Sequence, residues 1–321
     1  MSASLLHTLD LSLALPVYLL AAVLGAIMGS FVNCVAWRIV AGESPWSGRS
    51  HCTTCGHTLG VLDLVPVLSW AASGGKCRHC GERVSVRYPL TELFMGVVFV
   101  CIVARWGLTL NAAAYLAAAV ILLGLSLVDL DTMTIPNGFV IALIVVWAAF
   151  VGVAAVLTAG GSVESGWVAP VPDSDVAGAL ASLAGGNALA GTVLDGVLGG
   201  VAIGGGMLAI SAAFDALLGK RSLGGGDVKL LFAVGLFLGF AVGLLNLVLA
   251  CVAGLVFGIL YNVRKKGEPG AEAAEGSPGA VEGARPRAGA AFPFGPAIAF
   301  ATVLSLLVGQ AAVGWYLGLF L

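Results

Sequence analysis

Charge is scarce in this 321-residue chain: Asp, Glu, Lys and Arg make up only 10% of it. A soluble domain carries about a quarter, so a soluble globular protein is excluded at the outset. With 15 basic against 17 acidic residues the net charge is −2, and no basic surplus marks a nucleic-acid partner. The first ten residues contain no Lys or Arg, so the apolar stretch that follows lacks the basic flank of a cleaved signal peptide. Cysteine is sparse too. Of seven, Cys34, Cys101 and Cys251 fall in apolar runs and read as packing residues.

Apolar sequence is what the chain has in quantity: 59% of residues are hydrophobic and the mean hydropathy is +1.03. Runs of about 20 apolar residues read as membrane-spanning helices. They fall at 12–36, 90–106, 112–130, 136–159, 191–218, 228–241, 243–262 and 293–317. The stretch from Val228 to Asn262 is too long for one ordinary span, and a split near Ala241-Val242-Gly243 divides it. The expected fold is an all-α polytopic integral membrane protein of about eight transmembrane helices, with a small cytoplasmic metal-binding loop domain. The expected organisation is a first helix in 1–36, a four-cysteine loop domain at 37–89 and a transmembrane core at 90–262. A flexible linker at 263–292 and a last helix at 293–321 complete it. Arg38 and Arg49 follow the first span and most other Lys and Arg residues fall in alternate loops. The positive-inside rule then places the N-terminus outside. The Gly-, Ala- and Ser-rich segment 160–190 reads as a flexible outer loop, and the Gly/Pro/Ala/Glu-rich segment 264–291 as disordered linker.

The loop after the first span contains Cys52-Thr53-Thr54-Cys55 and Cys77-Arg78-His79-Cys80, each pair followed by glycine. Two CxxC pairs read as a tetrahedral structural site for zinc. Iron in a rubredoxin-like site suits the same ligands. Four thiolates close the shell, so this metal is not expected to catalyse, and His51, His57 and His79 lie outside it. Between the pairs, residues 63–70 are apolar but too short to span, and are expected against the membrane surface. Asn33 requires a hydrogen-bond partner, and Glu92 reads equally as a helix N-terminal charge or a site residue.

Two acids stand out in the apolar sequence. Asp227 follows Gly224-Gly225-Gly226 at the start of a helix, a place that favours carboxylates. Asp129, with Asp131 beside it, lies about one turn inside the end of its span, before Ile135-Pro136-Asn137. Acids at such depths are costly and are functional suspects. Asp195 and Asp215, at span ends, read as structural. The topology puts Asp129 and Asp227 at one membrane face, where two carboxylates sharing a proton would suit an aspartyl protease. A proton- or cation-coupled transporter is the competing reading.

These residues resemble the type IV prepilin peptidases, a family of GxGD membrane aspartyl proteases. Gly224-Gly225-Gly226-Asp227-Val228-Lys229 matches the family's G-x-G-D-x-K, and Asp129 with Ile135-Pro136-Asn137 matches D-x5-[IL]-P-[ND], which selects Asp129 over Asp131. Gly29-Ser30-Phe31-Val32-Asn33, the twin CxxC loop ending at Arg87-Tyr88-Pro89-Leu90, and Phe294-Gly295-Pro296 resemble further family motifs. The resemblance implies Asp129 and Asp227 as catalytic residues in a bacterial plasma membrane. The implied reaction is removal of a short basic leader from prepilin or pseudopilin substrates at the cytoplasmic face. It also implies N-methylation of the new N-terminus from S-adenosylmethionine. No glycine-rich cofactor loop is visible, so a peptidase without methylation is the narrower alternative.

Overall fold

The fold was described from a computed structural model, covering residues 11–159, 175–218, 224–266 and 293–319. Nine helices follow in chain order among the described residues: α1 (Leu11–Ala41), α2 (Leu68–Ala72), α3 (Arg87–Trp106), α4 (Leu110–Thr132), α5 (Asn137–Ala159), α6 (Asp175–Leu183), α7 (Ala188–Leu218), α8 (Gly225–Lys266) and α9 (Gly295–Leu317). A 3-10 turn covers Val61–Asp63. No strand forms among these residues, only two isolated bridges in the cysteine loop. Seven of the helices are long and apolar enough to cross a membrane. The ten N-terminal residues, most of the 264–291 linker and the first part of the 160–190 loop lie outside the described residues.

Leu, Val, Ile and Phe remain exposed along most of these helices, for example Leu19, Leu93, Val145, Val201 and Ile259. In lipid such side chains need no protein cover, so close helix contact depends on small residues instead. Gly29, singled out in the sequence, abuts α3: a Cβ there would fall 2.9 Å from Glu92 Cα. Asn33 finds its partner on α3 as well, donating to Thr91 Oγ1. Along α7, Gly200 and Gly204 let Phe232 of α8 approach, with a Cβ at Gly204 only 2.7 Å from the Phe232 Cβ.

The residues fall into two packed units, Met1–Gly124 with Val145–Val171 and Leu125–Ile144 with Pro172–Leu321. In the first, α1 packs on α3. In the second, α8 packs on both α7 and α9.

The long apolar run is divided, but at Gly239 rather than at 241–243. Gly239 has φ 71° and ψ −175°, outside any helix and a conformation only glycine adopts readily. A Cβ there would also meet the Asp195 carboxylate. The chain reverses at this point. Phe232 lies against Gly204, yet a Cβ on Gly243, eleven residues on, would meet neighbouring Ile203. A straight helix would carry those two positions about 16 Å apart. Asp195 Oδ1 accepts the Phe240 N–H at 3.0 Å, capping the second half of α8 from another helix. Asp195 is thus structural, as expected.

Two further expectations change. Residues 175–183 of the presumed outer loop form α6, which packs on α7 through Ala177 and Ala181 against Gly191. Its alanines and leucines recur at helical spacing, which the loop-like composition around it obscured. Helix α8 also continues to Lys266, a few residues past the start assigned to the linker.

Candidate active site

The second unit gathers Asp129, the Ile135-Pro136-Asn137 segment, the glycines before Asp227 and the start of α9. Each arrives by a local device. Asp129 sits in the last turn of α4, which Thr132 closes by donating to the Val128 carbonyl at 2.8 Å. Met133 then takes a positive φ of 53° and ends the helix ahead of Pro136. Asp227 opens α8, with its N–H donating to the Gly224 carbonyl at 3.1 Å. Pro296 and Gly295 open α9 after Phe294.

Three contacts bind these pieces together. The Gly295 N–H donates to Asp129 Oδ2 at 3.0 Å, fixing the carboxyl of a residue that is buried. A Cβ at Gly295 would lie 2.5 Å from that oxygen, so only glycine lets the amide reach it. Gly226 lies against Ile135, where a Cβ would come within 2.9 Å of the Ile135 Cβ. Lys229 Nζ donates to Asn137 Oδ1 at 3.1 Å. Asp227 is half-buried, and the Asp129 and Asp227 carboxyls are close enough to act on one another electrostatically. Asp131 is exposed. Asp215 is half-buried near the end of α7.

This arrangement holds one carboxyl in the last turn of α4 and one in the first turn of α8, the former oriented by a backbone amide. Two carboxyls placed so that each feels the other's charge do not ionise independently. The Gly295 amide was not assigned this part from sequence, where Phe294-Gly295-Pro296 was only a motif. A glycine immediately before a proline at a span start was the signal.

The four cysteines belong to the first unit. All four sulfurs lie within 4.8 Å of one another, and Cys52 Sγ and Cys80 Sγ are 3.9 Å apart. Ligands about 2.3 Å from a tetrahedral zinc are separated by about 3.8 Å, so the cluster can hold a metal of that kind. The two halves repeat one design. Gly56 and Gly81 donate to the carbonyls of Cys52 and Cys77 at 2.9 and 3.0 Å, and Cys52 and Cys77 donate to His57 and Glu82 at 2.9 and 2.8 Å. Backbone amides of Cys55 and Thr54 aim at the Cys52 sulfur and hold that thiol down at about 6. Cys80 is raised to about 12: the Glu82 amide opposes the rise, but desolvation and the neighbouring thiols outweigh it. Four thiolates together call for a cation. His57 and His79 stack with centroids 3.4 Å apart, beside the sulfurs and outside the four-sulfur set. Glu92, left open in the sequence, accepts the Val67 N–H at 2.7 Å and is a structural acceptor in the first unit. Arg38 is buried and donates to the carbonyls of Pro45 and Gly48.

Two family models divide the chain between them. Residues 23–106 match the bacterial peptidase A24 N-terminal domain, and residues 116–259 match the type IV leader peptidase family. The chain belongs to the type IV leader peptidase family. The chain is similar to a prepilin leader peptidase/N-methyltransferase of Bacillus subtilis, 29% identical over 92% of this chain and 96% of its own. A protein of the same name from Myxococcus xanthus is 40% identical over 36% of this chain and 34% of its own length. Another, from Pseudomonas putida, is 33% identical over 38% and 50%. The chain therefore spans half or less of those two relatives. No solved structure matches. The leader peptidase match, with seven candidate spans, makes this a multi-pass protein of the bacterial inner membrane. The transporter alternative is not favoured by these relatives.

Proposed function

We propose that this chain is a membrane aspartyl endopeptidase that removes the short basic leader of prepilin-like substrates at the cytoplasmic membrane face. One observation carries the reading: Gly226 against Ile135, Lys229 on Asn137 and Gly295 on Asp129 join the three motif segments around two carboxyls. Asp129 and Asp227 act as one acid–base unit. One proton between them lets a water be activated by the ionised carboxyl and the leaving amine be protonated by the other. The amide of Gly295 orients the Asp129 carboxyl for that exchange. The N-terminus lies outside, residues 37–89 form the metal-bearing loop domain, and 90–262 the peptidase core. Zinc in the Cys52, Cys55, Cys77 and Cys80 site would staple that loop and supply no catalytic water, because four thiolates leave no open position. The names of the relatives support N-methylation of the new N-terminus as a second activity, with S-adenosylmethionine as donor.

Asp129→Asn and Asp227→Asn keep shape and remove the proton chemistry. Each is expected to slow leader cleavage by about a thousandfold or more, and the double variant no further, as for groups serving one step. Gel mobility of a prepilin-like substrate in membranes, at matched expression, is the measurement. Cleavage by both single variants would sink the aspartyl-protease reading.

A further inference from the structure

The cysteine loop carries an apolar surface that neither the metal nor the proteolytic reading uses. Val61, Leu62 and Leu68 are 84%, 73% and 67% exposed, and Leu64 is 44% exposed. Val61 and Leu62 lie in the turn Val61–Asp63, Leu64 follows it, and Leu68 opens α2. Four large apolar side chains exposed within eight residues form a patch that water disfavours.

One bond sets where this stretch lies. The Val67 N–H donates to Glu92 Oε2 at 2.7 Å, and Glu92 is 7% exposed. Val67 has φ 61°, a conformation that a β-branched residue resists, so the loop is held there against its own preference. Glu92 is five residues into α3, about 7.5 Å along the axis. Leu90 and Leu93, on either side of it, are 59% and 56% exposed. On a membrane-spanning helix those side chains face lipid. The backbone of Val67 is therefore level with the first lipid-facing residues of α3. The loop's charge agrees. Between 43 and 87, Arg49, Lys76, Arg78, Arg83 and Arg87 outnumber Glu43, Asp63 and Glu82. A basic excess beside an apolar patch suits an anionic headgroup layer.

We propose that residues 61–68 lie in the membrane interface, with Val61, Leu62, Leu64 and Leu68 immersed at the headgroup–acyl boundary of the leaflet at the Arg87 end of α3. The four-cysteine loop is then seated in the bilayer rather than suspended in water. The Val67–Glu92 hydrogen bond is its fastening to α3. Lipid is the occupant because Val67, within this stretch, is held level with the lipid-facing Leu90 and Leu93 of α3. This inference is independent of the proteolytic reading.

The full chain, carrying the photocrosslinker p-benzoylphenylalanine at Leu62, is placed in vesicles of phosphatidylethanolamine and phosphatidylglycerol with a prepilin-like peptide and illuminated. Adducts are read by mass spectrometry. Lipid adducts at position 62 should match those at Leu93 within about twofold, and exceed those at exposed Glu43 by about fivefold. The same label at Leu68 should agree, and serves if the Leu62 variant fails to accumulate. Absence of lipid adducts at both positions overturns the proposal. So do adducts to the peptide or to a second copy of the chain in place of lipid.

Discussion

At the scale of single residues, the candidate active site depends on what is missing from Gly295 as much as on the acids. The amide of Gly295 reaches Asp129 Oδ2 because no side chain intervenes, and a Cβ would stand 2.5 Å from that oxygen. Gly295→Ala must displace the Asp129 carboxyl or the start of α9. Misplacement of a reacting group by about 1 Å costs about a hundredfold, so cleavage should fall by that order with the fold retained. Gly314→Ala, in the same helix with nothing near the new methyl, should leave the rate unchanged. Leader cleavage by the two variants in parallel checks this, and equal rates would remove Gly295 from the site. Asp129 and Asp227 stood out in the sequence because each sits beside a helix break and within a motif, as Asp195 does not. Glu92 did not, since its acceptor role depends on Val67, far away in the chain.

Among the elements, α8 shows why span boundaries are harder to read than spans. Composition announced that the run was too long, but hydropathy is flat across it. The break follows from Gly239 meeting the Asp195 carboxylate, a contact between distant residues. Helix α6 was hidden for a related reason: nine residues of helix are stabilised by packing on α7, not by their own propensity. If Asp195 caps the second half of α8, Asp195→Ala leaves the Phe240 N–H without that acceptor. The expected loss is about 1–3 kcal/mol, with Asp195→Asn much milder because its amide oxygen still accepts. Thermal unfolding in detergent should order the variants so. Equal melting temperatures for wild type and Asp195→Ala would show that the cap contributes nothing.

For the whole molecule, the cysteine pattern named a metal site from spacing alone, and the fold brings the four sulfurs together. Elemental analysis of the purified chain should find about one zinc per molecule. A Cys52→Ser/Cys77→Ser variant should lose it, as should acidified wild type, because protonated thiols release metal. Proteolytic nicking between Cys55 and Cys77 should rise in the metal-free protein while leader cleavage persists. Wild-type protein free of metal, or cleavage that follows metal content, would contradict a structural site.

The reversal at Gly239 bears on the membrane as well as on the protein. From Asp227 to the break, the first half of α8 is about 18 Å long, against a hydrocarbon layer of about 30 Å. A segment that short does not bridge the layer. The bilayer beside it must thin, or polar groups must reach inward to meet it.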